Sequence, residues 1–237
     1  MEILYSLSHS PGDKTPRKTL VLDLDETLVH SWENPQFLET YKIYEDPAVY
    51  RKFHPLGSHQ IAYSMLLEMP DGTQSRIWGL HRPHLYEFLS FAAENFDILV
   101  WSAGIRPYVD EITKQIFLES GLMSPKVIWS RSNCQNYNGL YHKPISELLD
   151  ELSRRPYTTF QVDPKSTLVI DDKPHTFMSN PANGVLIPAY HPGKTPTLEQ
   201  LLDRSDDALL KLKAWLERPE VMNAPDVRTL DKSKIFT

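Results

Sequence analysis

Asp23 and Asp25 stand two residues apart in Lys18-Thr-Leu-Val-Leu-Asp-Leu-Asp-Glu-Thr-Leu-Val-His30, directly after the apolar run Leu20, Val21, Leu22. Such a run reads as a buried central strand, and its period of two sends both carboxylates to the same side. That pair suits phosphoryl transfer, in which one carboxylate attacks phosphorus while its neighbour moves the proton. The Asp-x-Asp-x-Thr pattern, which ends at Thr27, fixes only three positions and by itself also fits a strand end followed by a turn.

Residues further along the chain narrow the choice. Ser102 follows Val100-Trp101, Arg131 follows Val127-Ile128-Trp129, and Asp171-Asp172 follow Val169-Ile170. Each lies just past an apolar run, so all are expected on one rim of a sheet, at the carboxyl ends where open α/β sheets place their ligands. Lys143, in Gly139-Leu-Tyr-His-Lys-Pro144, sits in a loop before a helix and can swing to the same rim. Taken singly, Asp171-Asp172 reads as a strand-to-helix cap, Ser102 as a loop hydroxyl and Lys143 as a solvated charge. Their order and shared rim favour a joint site. Arg131 by itself reads as an anchor of its loop to a carboxylate. Cys134 reads as a small buried residue without reactivity. His84, His142 and His175 lack a ligand spacing. His30 reads as structural, or as a hydrogen-bonding partner near Asp25.

The elements that must position these residues alternate. Apolar runs at Leu20 to Leu22, Ile98 to Trp101, Val127 to Trp129, Leu168 to Ile170 and Val185 to Ile187 predict five core strands. Helix-like segments fall between them, at Pro83 to Glu94, Pro107 to Glu119, Ile145 to Leu152 and briefly after Pro174. The pattern predicts an α/β protein with a doubly wound, mostly parallel five-stranded sheet and helices on both faces. A last long helix is expected from Thr195-Pro196 through Trp215. An insertion over about residues 33–80 interrupts the alternation after the first strand. Ile61 to Glu68 and Gln74 to Gly79 around Pro70-Asp71-Gly72 read as a β-hairpin within it, and its position allows it to cover the site. Phe37, Tyr41, Tyr44, Tyr50 and Phe53 of the insertion fit either a second pocket or a satellite core. Residues 1–17 and 219–237 read as extensions flanking a domain over 18–218.

Composition bounds the rest. The 237 residues, 41% hydrophobic, can bury a full core. A net charge of −6 supplies no basic field for nucleic acid. The single cysteine excludes an internal disulfide framework and a cysteine-based zinc site. No apolar run approaches the roughly 20 residues of a membrane span, and no signal sequence is legible. The expected location is nucleus or cytoplasm.

With these residues together, the chain resembles the haloacid dehalogenase (HAD) superfamily, in the branch of FCP/SCP-type phosphatases that act on the RNA polymerase II C-terminal domain (CTD). The matching pieces are Leu22 to Ser31, Arg82 to Leu89, Trp101-Ser-Ala103, Arg131-Ser-Asn-Cys134 with Gly139 to Lys143, and Ile170-Asp-Asp-Lys-Pro174. The resemblance implies Asp23 as nucleophile and Asp25 as general acid and base. It implies Thr27, Ser102, Ala103 and Lys143 at the phosphate, with Ser102 standing where the family has threonine, and Arg131 at the substrate. It also implies Mg2+ held among Asp23, Asp25, Asp171 and Asp172. Magnesium suits such carboxylates, which together with phosphate would otherwise repel the nucleophile. The implied substrate is a phosphoserine or phosphothreonine peptide like that of the CTD. Asp171-Asp172 follows the larger CTD phosphatase rather than the Asp-Asn form of the small ones. The stretch after Pro219 is expected to hold no phosphopeptide-binding domain like that of the larger enzyme, so the chain resembles its catalytic core alone. Two other readings stay open: a catalytically silent binding module, and a phosphatase of small molecules or polynucleotide ends.

Overall fold

The computed structural model describes residues 17–69, 71–118, 120–154 and 162–237. The expected extension over residues 1–17 therefore lies, apart from Arg17, outside the described residues, as does Pro70 of the predicted hairpin.

The chain opens with strand β1 (Thr19–Leu22) and turns into β2 (Val29–Glu33). Two short helices, α1 (Phe37–Thr40) and α2 (Pro47–Phe53), precede the hairpin β3 (Ala62–Glu68) and β4 (Gln74–His81). Helix α3 (Leu85–Asn95) leads to β5 (Asp97–Trp101), and α4 (Arg106–Thr113), extended by a π-helical turn at Lys114–Leu118, leads to β6 (Val127–Trp129). A hairpin of β7 (Gln135–Tyr137) and β8 (Leu140–His142) comes before α5 (Ile145–Ser153). Then follow β9 (Thr167–Asp171), β10 (Gly184–Leu186), α6 (Leu198–Leu202), α7 (Ala208–Leu216) and α8 (Pro219–Met222).

All five predicted core strands form one parallel sheet in the order β10-β9-β1-β5-β6. Alternation along β1 explains the layers. Leu20 and Leu22 join the cluster that holds Phe88 and Leu89 of α3, Val109 and Ile112 of α4 and Leu212 of α7. Val21, facing the other way, joins Leu99, Val169 and Leu148 of α5. A strand covered on both faces has no solvent side, which is why these runs are continuously apolar.

The insertion departs from expectation in extent. The predicted hairpin is β3 and β4, but β2 adds to it antiparallel, making a three-stranded sheet in the order β2-β4-β3. Phe37, Tyr41 and Phe53 pack with Trp78 in a satellite core, while Tyr44 and Tyr50 are exposed. The predicted long helix is broken. Thr197 and Gln200 cap α6 reciprocally, and the chain leaves the helix at Asp203. Asp206 then binds the buried guanidinium of Arg82 through both oxygens, at 2.8 and 2.9 Å, and accepts the Ala208 N–H that starts α7. Satisfying a buried arginine outweighs one turn of helix. The segment after α7 is packed too, with Val221, Val227 and Ile235 buried in the main cluster. Among the described residues no helix is long and apolar enough to cross a membrane.

Candidate active site

Register explains why the acidic residues meet. Leu22 of β1 is level with Val100 of β5 and with Ile170 of β9, so Asp23, the next residue, leaves the sheet beside Asp171. The Asp23 N–H still bonds the Ile170 carbonyl at 3.1 Å, which fixes the nucleophile candidate to the rigid sheet. Ser102 bonds Trp129 in the same way, and its Oγ accepts the Gly104 N–H at 2.9 Å, tightening the turn behind it.

Lys143 closes the site from the adjoining hairpin. It is 1% exposed, its N–H is tied to the Thr176 carbonyl, and its ammonium donates to Asp23 Oδ1 at 2.7 Å and Asp171 Oδ2 at 2.6 Å. The lysine expected in a loop thus follows directly on β8, which brings it over the strand ends. Burial works against its charge, but the two carboxylates outweigh that and hold it above the ordinary lysine value. Burial in turn pushes Asp23 up to about 8, with the Lys143 charge opposing the shift and the Asp171 charge adding to it.

Asp25 lines the same cavity and takes a different partner. The Tyr108 hydroxyl of α4 donates to Asp25 Oδ1. Its single proton is thereby committed, so Ser31, 2.6 Å away, donates to Tyr108, and Tyr63, 2.6 Å from Ser31, donates to Ser31. Burial raises the Asp25 carboxyl above the usual carboxylate range, against the opposing pull of Tyr108. A raised carboxyl pKa favours the proton-donating role that general acid catalysis needs.

A cavity of about 290 Å³ is lined by Asp23, Asp25, Ser102, Ala103, Arg131 and Lys143, together with Asp171 and Lys173. Two expected residues stand elsewhere. Thr27 is fully buried, is not a wall of the cavity, and its hydroxyl has no hydrogen-bond partner. The turn that carries it, with Thr27 N–H donating to Leu24 O, draws the side chain inward rather than towards phosphate. Asp25 does not join the carboxylate cluster of Asp23, Asp171 and Asp172, whose oxygens lie within 4.8 Å of one another, and its Oδ1 is bound by Tyr108 instead. Arg131 bonds the Ala103 carbonyl through Nε at 2.7 Å and lies 5.4 Å from the Tyr141 ring. It braces a backbone carbonyl, not a carboxylate. Tyr108, Ser31 and Tyr63 were invisible as a site in the sequence, since three elements far apart in the chain supply them. The one available signal was Tyr108 in the first turn of a helix that starts at the rim.

The cluster of Asp23, Asp171 and Asp172 fits a hard divalent cation. Asp172 Oδ1 is buried without a hydrogen-bond partner, and burial pushes its carboxyl up to about 6. A buried carboxylate oxygen without a hydrogen-bond partner beside two further carboxylates is a ligand set of the oxygen type that magnesium prefers.

A parallel five-stranded sheet with paired aspartates after its central strand is the haloacid dehalogenase-like α/β arrangement. A sequence profile of the NLI interacting factor-like phosphatases matches residues 18–228, and the chain belongs to that family. A probable C-terminal domain small phosphatase of Dictyostelium discoideum is 29% identical over 218 residues, 92% of this chain and 55% of that protein. Nuclear envelope morphology protein 1 of Schizosaccharomyces pombe is 28% identical over 220 residues, 92% of this chain and 36% of that one. The chain thus spans about half, or less, of these relatives. The structure of Fcp1, an essential RNA polymerase II CTD phosphatase, superposes with a TM-score of 0.63 at 20% identity, over 84% of this chain and 61% of that chain. That likeness is one of fold.

Proposed function

We propose that this chain is a magnesium-dependent phosphatase that hydrolyses phosphomonoesters through an aspartyl-phosphate on Asp23. The observation that carries this reading is the placement of Asp23, fixed to the sheet under Lys143, in one cavity with a Tyr108-bound Asp25. Asp23 attacks phosphorus, and Asp25 gives its proton to the departing oxygen. Asp25 then takes a proton from the water that cleaves the acyl phosphate. Lys143, the Ser102 hydroxyl and backbone N–H groups near Ala103 face the phosphate oxygens. Asp23, Asp171 and Asp172 would hold Mg2+, which when bound offsets the repulsion between carboxylate and phosphate.

The substrate we infer is phosphoserine or phosphothreonine in an extended peptide resembling the RNA polymerase II CTD. The names of the relatives support this choice, and Arg131 on the cavity wall offers a cation to a peptide beside the phosphate. The working compartment is nucleus or cytoplasm.

The deciding experiment is hydrolysis of an aryl phosphate by purified protein with Mg2+ and with a chelator, beside Asp23→Asn. Activity that needs the metal and vanishes in a folded Asp23→Asn supports the reading. Substantial turnover by that variant excludes the covalent route.

A further inference from the structure

Glu26, His30 and His191 form a second cluster of ligating groups, whose donor atoms lie within 4.8 Å of one another. His30 is 4% exposed, and its Nδ1 lies 3.2 Å from Glu26 Oε1. The His191 ring stands at the exposed mouth, with its centroid 4.8 Å from that of His30. The loops behind them are fixed. Tyr190 N–H donates to the Glu26 carbonyl at 2.7 Å, and the buried Arg82 guanidinium binds the Thr27 carbonyl at 3.0 Å and the Pro188 carbonyl at 2.7 Å. Residues 26 and 191 therefore come from segments tied to each other.

We propose that Glu26, His30 and His191 bind a borderline divalent cation of the zinc type, at a site distinct from the carboxylate cluster of Asp23, Asp171 and Asp172. Two imidazoles and one carboxylate are a donor set for zinc, with a fourth position open to water, whereas magnesium prefers oxygen throughout. Glu26 also meets Lys173 Nζ at 3.4 Å, and Lys173 lines the catalytic cavity. A cation that draws Glu26 away changes the positive charge offered to an anionic substrate, so the site couples to the cavity without supplying a catalytic group. The binding proposal stands whether or not the chain is a phosphatase.

The test is Zn2+ titration of the full chain against a chromophoric chelator, in excess Mg2+, for wild type, His191→Ala and Asp172→Asn. His191 is exposed, so its replacement leaves the fold intact. One equivalent bound by wild type, weakened about tenfold or more in His191→Ala and unchanged in Asp172→Asn, establishes the site. Absence of binding, or binding that follows Asp172 and ignores His191, overturns it. Zn2+-dependent shifts of the His30 and His191 imidazole resonances in the same samples give a readout independent of affinity, and their absence also overturns the assignment.

Discussion

Two carboxylates two residues apart acquire different properties because their neighbours differ. Asp23 lies against an ammonium, and Asp25 against a phenol whose proton points at it. Tyr108→Phe removes that donor while leaving the ring packed. Loss of a hydrogen bond to a charged group, about 1.5–3 kcal/mol, is expected to lower kcat roughly ten- to hundredfold, with KM for an aryl phosphate little changed. Steady-state kinetics check this. A fall in KM-dependent binding alone would assign Tyr108 to the substrate instead. Arg131 lines the cavity, and among the described residues its side chain contacts a backbone carbonyl and an aromatic face, so its charge is available to a peptide. Arg131→Ala is expected to reduce turnover of a phosphopeptide by about tenfold more than that of an aryl phosphate, the effect of one lost contact near 1.4 kcal/mol. Equal losses with both substrates would remove the recognition role.

At the scale of elements, the inserted sheet supports the chemistry from the side. Ser31 of β2 and Tyr63 of β3 flank Gly79 of β4, and the three are in register across the sheet. A Cβ on Gly79 would lie 2.2 Å from Tyr63 Cζ and 2.6 Å from the His30 carbonyl. Gly79→Ala should therefore cost about 3 kcal/mol of stability, read as a lower denaturant midpoint. It should also reduce activity by displacing Tyr63 from Ser31. Retention of both would show that the sheet yields at that point. His81 ends β4, donates Nδ1–H to the Gln60 carbonyl, and is pushed down to about 4 by burial, with the Arg204 charge adding to the shift. Its pKa is depressed on folding from 6.5, so the neutral ring contributes fully above pH 6.5, and that contribution is lost as pH falls towards 4. Unfolding free energy should drop by up to about 3 kcal/mol across that window, and His81→Leu should flatten the slope. An unchanged slope in the variant would assign the acid sensitivity to other groups.

For the whole molecule, the main core runs from β1 to the last residues. Val221, Val227 and Ile235 lie in the same buried cluster as Leu20 and Leu22. Each fully buried side chain of that kind contributes about 1.5–3 kcal/mol, so removal of residues 219–237 should cost about 5 kcal/mol, comparable to the whole stability of many domains. Urea unfolding of the shortened chain checks this, and an unchanged midpoint would show the segment to be dispensable. Much of the molecule was legible without coordinates. The five strands announced themselves because a strand covered on both faces must be apolar throughout. Asp23, Asp25, Ser102, Arg131 and Asp171 were legible because residues at carboxyl ends of parallel strands share a rim whatever the loops do. The sequence by itself thus determined the sheet and the acidic rim, both consequences of local period and polarity. Only the tertiary structure decided that β2 joins the insertion, that Asp206 splits the last helix to reach Arg82, and that Thr27 turns inward. It also decided that Tyr63, Ser31 and Tyr108 stand behind Asp25. Those outcomes depend on hydrogen-bond partners far apart in the chain. Burial makes satisfying such partners worth more than local helix or turn preference, and no local pattern records where the partner will be.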